Sequence, residues 1–320
     1  MNLFEEEKPR LNPLHGIALF LIIMLLFFLV FAPLQYHFGM VGLLLTELGL
    51  LLVTLLAVWL THQPFREVFP MYRPRFGQIM GTILLWIGCF LFTITVSLIS
   101  MLLFPEGFLD TGSDMVSLFA SIPAVFSFLI VAVSPAICEE AMHRGFIMHT
   151  FKGISRDWVA VLCIGLIFGL FHTNPYRFLP TALLGMGLAY IMRKSQNILL
   201  PSLFHFINNA IAFLAGQSSA AFEVNRFTNP AADPSFLVVA LGSYLIIGCL
   251  APILLYAGSY LLCKSSGCLR RVSNTRLVLT IVGVLFLSVA MLISGFVILF
   301  LNMETLMDMS QLSEVLCLVR

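Results

Sequence analysis

Charge is what this sequence has least of. Asp, Glu, Lys and Arg make up 10% of its 320 residues, against roughly 25% in a soluble globular domain. With 60% hydrophobic residues and a mean hydropathy of +1.01, most of the chain must be solvated by lipid. The net charge is +1 and no run of like charges suggests a polyelectrolyte partner, so nothing would draw the protein to nucleic acid. No Pro/Gly/Ser-rich linker separates soluble domains, and no repeat period stands out. The cysteines, Cys89, Cys138, Cys163, Cys249, Cys263, Cys268 and Cys317, follow neither a zinc-knuckle nor a disulfide spacing, which makes them reduced packing residues. The first apolar run, from about His15, lacks a small-residue cleavage site and is expected to stay as an anchor.

What is abundant is uninterrupted apolar sequence. Stretches of roughly 17 to 25 apolar residues, long enough to cross a bilayer, occur near 15–36, 40–61, 78–104, 116–140, 157–172, 178–192, 197–215, 236–262 and 277–302. They predict an all-α, polytopic transmembrane helical bundle of eight or nine spans. The sixth stretch is short, with Gly185 and Gly187, and Pro201 stands just inside the seventh, so these two suit tilted or re-entrant helices. Three regions follow: 1–75, a tail and two helices; 76–215, a core; and 216–320, the C-terminal helices.

Lys and Arg are retained on the cytoplasmic side of a membrane. Lys8 and Arg10, then Arg66, Arg73 and Arg75, Lys152 and Arg156, Arg193 and Lys194, and Lys264, Arg270, Arg271 and Arg276 occupy alternate loops. The intervening loops hold only Arg177, Arg226 and the terminal Arg320, together with Glu106, Asp110 and Asp114. A multi-pass protein of the cell membrane with a cytoplasmic N-terminus is expected.

A charge at the bilayer centre costs at least about 2.5–3.5 kcal/mol, so each one retained needs a partner or a task. Within the apolar runs stand Glu47, the pair Glu139 and Glu140 with Arg144, then His172, His205 and Asn209. Arg144 lies one helical turn beyond Glu140 and can clamp its carboxylate. Glu139 is turned about 100° away and can face a cavity. Phe168 and His172, and likewise His205 and Asn209, are also one turn apart. A Glu–Arg pair at a helix end is commonly an interfacial ion pair, and a histidine in a span is commonly packed in the interior. Three such segments on neighbouring helices instead suit a shared wet pocket for water activation and oxyanion stabilisation. Glu47 has no spacing partner and reads as a paired structural or cavity-lining residue. His143 and His149 are expected at the cytoplasmic boundary. Cys138 beside two carboxylates is a poor thiolate, which disfavours a Cys–His peptidase.

Glu139-Glu140-Ala141-Met142-His143-Arg144, Phe168 to His172 and His205 to Asn209 resemble, in this order, the motifs of the CAAX-protease and bacteriocin-processing (Abi) family of intramembrane peptidases. The resemblance covers about 115–215. It implies an endopeptidase in which Glu139 is general base on a water and Glu140 supports it, held by Arg144. His172 would position or polarise the water, and His205 with Asn209 would stabilise the oxyanion. The family was named as metallopeptidases; if Zn²⁺ is bound, Glu139, Glu140, His172 and His205 are its ligands. The His-Glu-x-x-His signature is absent, which leans the reading to a metal-free site. The implied partners are the lipid bilayer and a membrane-associated protein or peptide substrate, such as a prenylated CAAX peptide or a bacteriocin leader. Two other classes stay open: a transporter or proton relay, and a non-catalytic scaffold or immunity protein.

Overall fold

The computed structural model describes residues 11–105, 121–221, 234–269, 271–305 and 307. The N-terminal tail, the acidic loop with Glu106, Asp110 and Asp114, and Arg226, Arg270, Cys317 and Arg320 lie outside the described residues. Among the described residues there are helices and no strand. They are α1 (Pro13–Leu26), α2 (Ala32–Leu60), α3 (Phe65–Val68), α4 (Phe76–Leu103), α5 (Ala124–Thr150), α6 (Asp157–Phe171), α7 (Phe178–Ser195), α8 (Leu199–Ala221), α9 (Pro234–Gly248), α10 (Ala251–Ser266) and α11 (Asn274–Leu301).

Six helical segments among the described residues are long and apolar enough to cross a membrane: Pro13–Leu60, Phe76–Leu103, Ala124–Thr150, Leu199–Gln217, Ser235–Ser266 and Asn274–Leu301. The first joins two of the apolar runs. It reverses at Gly39, whose φ of 53° suits a residue without Cβ. Beyond that point Phe31 lies against Gly49, and Gln35 donates to Thr46 across the hairpin at 3.0 Å. Two of the nine runs differ from expectation. α6 has 15 residues, about 22 Å of helix against a hydrocarbon core of about 30 Å. α7 ends on Arg193 and Lys194 and is less apolar. The two pair antiparallel, because Gly165, Gly169 and Gly185 let their backbones approach.

The cationic loops gather at one end of the bundle. Arg193 and Lys194 both pair with Asp157 at 2.7 Å. Arg75 donates to the Ser265 carbonyl, Lys152 to that of Glu67, and Asn197 to that of Tyr72. At the opposite end Phe104 stacks on Tyr176. This is the alternation that the loop charges predict.

α5 is the central element: every residue from 138 to 148 is buried. α4 and α10 cross closely among the flanking helices. A Cβ on Gly81 would come within 2.7 Å of the Leu262 nitrogen, and one on Gly258 within 2.8 Å of the Leu85 nitrogen. Gly81→Ala is therefore expected to force these backbones apart and cost about 1–3 kcal/mol. It should lower the melting temperature in detergent, whereas Gly283→Ala, with nothing within 4 Å, should not.

Candidate functional site

The acidic motif lies on α5 between two π-helical turns, Leu129–Val133 and Ala141–Ile147. Such turns break the regular hydrogen-bond ladder and recur at functional sites. Ser134 donates to the Ile130 carbonyl at 2.6 Å, and Asn209 of α8 donates its amide to the Val131 carbonyl at 3.2 Å. Asn209 thereby ties α8 to α5 about two turns before the glutamates. Its amide keeps a second N–H.

Glu140 and Arg144 are fully buried and joined, Arg144 Nη1 to Glu140 Oε1, at 2.8 Å. Arg144 Nη2 donates to the Gly185 carbonyl at 3.0 Å, and its guanidinium lies 4.5 Å from the centre of the Phe168 ring. His205 Nδ1 meets the same Glu140 Oε1 at 2.8 Å. One carboxylate oxygen thus fixes a guanidinium from its own helix and an imidazole from α8. Glu139, 7% exposed, is turned aside as the helical rotation predicts. Its Oε2 is 4.0 Å from His205 Nε2, beyond hydrogen-bond length. Oε2 of each glutamate is buried without a hydrogen-bond partner.

Phe168 is the hub of the cluster. The rings of His172, His143 and His205 meet its edge or face at 4.8, 5.0 and 5.7 Å. His172 caps the end of α6 and is exposed; it joins through Phe168 and bonds neither carboxylate. Its Nδ1 is 2.9 Å from the Phe168 carbonyl. A carbonyl only accepts, so Nδ1 carries the proton and Nε2 of the neutral ring keeps a lone pair. The structure therefore brings Glu139, Glu140, Arg144 and His205 into direct proximity, holds His172 at the rim, and uses Asn209 first as a tie between helices.

Two further residues bear on the site. His143 is not at a membrane boundary: it is fully buried, its Nδ1 2.9 Å from the Glu139 carbonyl and its Nε2 unpartnered. Its spacing of four from Glu139 was the available signal. His149, by contrast, meets Gln63 and the Glu67 carbonyl near the cationic end. Of the two places expected for Glu47, paired or cavity-lining, it is the paired one that is not seen. It is 3% exposed on the inward face of α2, and its Oε2 has no hydrogen-bond partner. Met40, Leu43 and Leu44 pack with Ile130 and Val131, while Leu50 and Val58 pack with Met142 and Phe146. This register sets Glu47 level with the glutamates.

Among the described residues no group of three or more His, Cys, Asp or Glu side chains is arranged to hold a metal ion. Arg144 and His205 both hold Glu140 Oε1, Oε2 of Glu139 and of Glu140 has no partner, and His172 stands apart.

Helices of spanning length around a buried Glu–Glu–Arg–His cluster define a multi-pass membrane protein with a polar interior site. Residues 121–211 match the model of the type II CAAX prenyl endopeptidase Rce1-like family. The matched stretch contains all three motifs, so over those residues the chain is similar to the CAAX-protease and bacteriocin-processing family. That similarity favours a CAAX-type intramembrane endopeptidase over a transporter or a scaffold. No curated protein and no solved structure matches the chain.

Proposed function

We propose that the protein hydrolyses peptide bonds of membrane-associated proteins or peptides with a water activated by Glu139. The observation that carries this reading is the division of labour between adjacent carboxylates: Glu140 is engaged by Arg144 and His205, while Glu139 Oε2 stands free 4.0 Å from His205 Nε2. At hydrogen-bond lengths of about 2.8 Å, one water oxygen can touch both. Glu139 takes a proton from that water, and the oxygen adds to the scissile carbonyl carbon. The former C=O becomes an oxyanion, accepting from His205 Nε2–H when that ring carries two protons and from the free Asn209 amide N–H. The C–N bond then breaks and Glu139 returns the proton to the leaving amine. His172 Nε2 accepts a hydrogen bond from the incoming water and orients it. No step is routed through a metal.

The charge distribution of the loops supports a cell-membrane protein with its N-terminus in the cytoplasm, and access to the site from that leaflet. A prenylated CAAX peptide is the substrate class that the family description suggests. Membrane proteomes of cells making the wild type or Glu139→Ala test this: a membrane-attached protein should be shortened only with the wild type. Identical proteomes would overturn the reading.

Glu47 acts in this scheme as a positioning residue beside Glu139. A buried, unpartnered carboxyl costs stability, so Glu47→Met, which keeps its length, is expected to stabilise the protein by about 1–3 kcal/mol. Turnover should fall at least about tenfold with KM little changed. A lower melting temperature, or unaltered kcat, would show that Glu47 serves the fold alone.

A further inference from the structure

At the cationic end of the bundle a second polar site lies apart from the glutamates. The segment before α4, the first turn of α4 and the last turn of α10 enclose a cavity of about 310 Å³, lined among others by Tyr72, Arg73, Arg75, Gln78, Ser265 and Ser266. The lining holds two arginines and no carboxylate. Its walls are built rather than incidental. Gln78, 8% exposed, accepts from the Arg75 backbone N–H at 2.9 Å and donates to Ser266 Oγ at 3.0 Å. Asn197, 2% exposed, donates to the Tyr72 carbonyl at 2.8 Å and so fixes the strand of chain that carries Arg73. Arg75 Nη1 donates to the Ser265 carbonyl at 2.8 Å, which leaves its other guanidinium N–H groups for a ligand. Arg73 has neither a hydrogen bond nor an ion pair among the described residues.

Arginines without an acidic partner, backed by hydroxyls, select an anion with several acceptor oxygens. The surroundings say where such an anion comes from. The cavity opens where two spans, Phe76–Leu103 and Ser235–Ser266, end, and Phe76 is 77% exposed beside it with Tyr72 and Leu269 also exposed. Aromatic and aliphatic side chains at the end of a span mark the level of the headgroups. A basic pocket between spans at that level is suited to a phosphate-bearing headgroup.

We propose that this cavity binds a phosphate group, supplied by an anionic phospholipid whose acyl chains lie along α4 and α10. The site does not depend on the peptidase chemistry.

The test is the thermal melting of the purified full chain in a neutral detergent, titrated with dioctanoyl phosphatidylglycerol, dioctanoyl phosphatidylcholine or inorganic phosphate. A ligand of the native state raises the melting temperature saturably. The glycerol lipid is expected to do so and the choline lipid, whose own cation offsets its phosphate, to do so much less. Arg73→Gln removes no bond among the described residues and should raise the half-saturating concentration about tenfold or more. Arg73→Gln with Arg75→Gln should abolish the shift, and the control pair Arg156→Gln with Arg276→Gln should retain it. An equal shift with inorganic phosphate, lost in the same variants, would support the phosphate site with a free anion as its source. No shift with any anion, or a shift that survives in the double variant or vanishes in the control pair, would overturn the proposal.

Discussion

Glu139→Gln is expected to cleave a membrane-bound peptide about 10²- to 10⁴-fold more slowly than the wild type, because the substituted amide cannot take a proton from water. The loss should appear in kcat, with KM nearly unchanged, since the group acts on the reacting water and not on substrate binding. Glu140→Gln should lose a comparable factor for another reason: its Oε1 orders both Arg144 and His205, each at 2.8 Å. His205→Ala and His172→Ala should each nearly abolish cleavage, and Asn209→Ala should leave less than about a tenth. The helices are held by lipid insertion and packing, so all of these variants should still insert and fold. Kinetics of the purified variants, with size-exclusion profiles as the check on folding, decide the matter. Wild-type rates in both glutamate variants would remove the mechanism.

Arg144→Ala should behave differently, losing activity and stability together. It strips the fully buried Glu140 of its counter-charge and leaves the Gly185 carbonyl without its donor. Breaking a buried pair on one side costs about 3–5 kcal/mol, whereas replacing both partners with apolar groups is often neutral or stabilising. Glu140→Leu combined with Arg144→Leu is therefore expected to recover the melting temperature lost in Arg144→Ala while remaining inactive. Melting of the single variant at the wild-type temperature would show that the pair is not buried as described.

The parts of the site that the sequence discloses are those whose cost in lipid is high and whose spacing is local. Glu140 and Arg144 are one turn apart on one helix, so their contact follows from helical geometry alone. That Glu139 faces elsewhere follows from the same rotation. Contacts between helices are less legible. Nothing in the spacing links Glu47 to Glu139, because α2 reaches α5 only through packing of Met40 to Leu44 below and Leu50 to Val58 above. The burial of His143 depends on Phe168 and Phe171 from α6 closing over it. The apolar runs mark helices well, but hydropathy cannot separate a span from a short helix lodged inside the bundle. α6 falls short of a span by its 15 residues, and α7 by the Arg193 and Lys194 in its last turn. Asn209 shows a further limit: the sequence places it one turn from His205, while the π-helical turn that draws its amide to Val131 is a feature of the folded backbone.

The claim that adjacent carboxylates divide into an anchored support and a water-activating base is tested most directly by turnover with the purified wild type. A farnesylated CAAX peptide in detergent micelles, followed by mass spectrometry of its products with and without a strong chelator, gives the measurement. The account predicts one internal cleavage, at a rate the chelator leaves unchanged and Glu139→Ala eliminates. Activity that disappears with the chelator and returns with Zn²⁺, or cleavage that persists in Glu139→Ala, would contradict it.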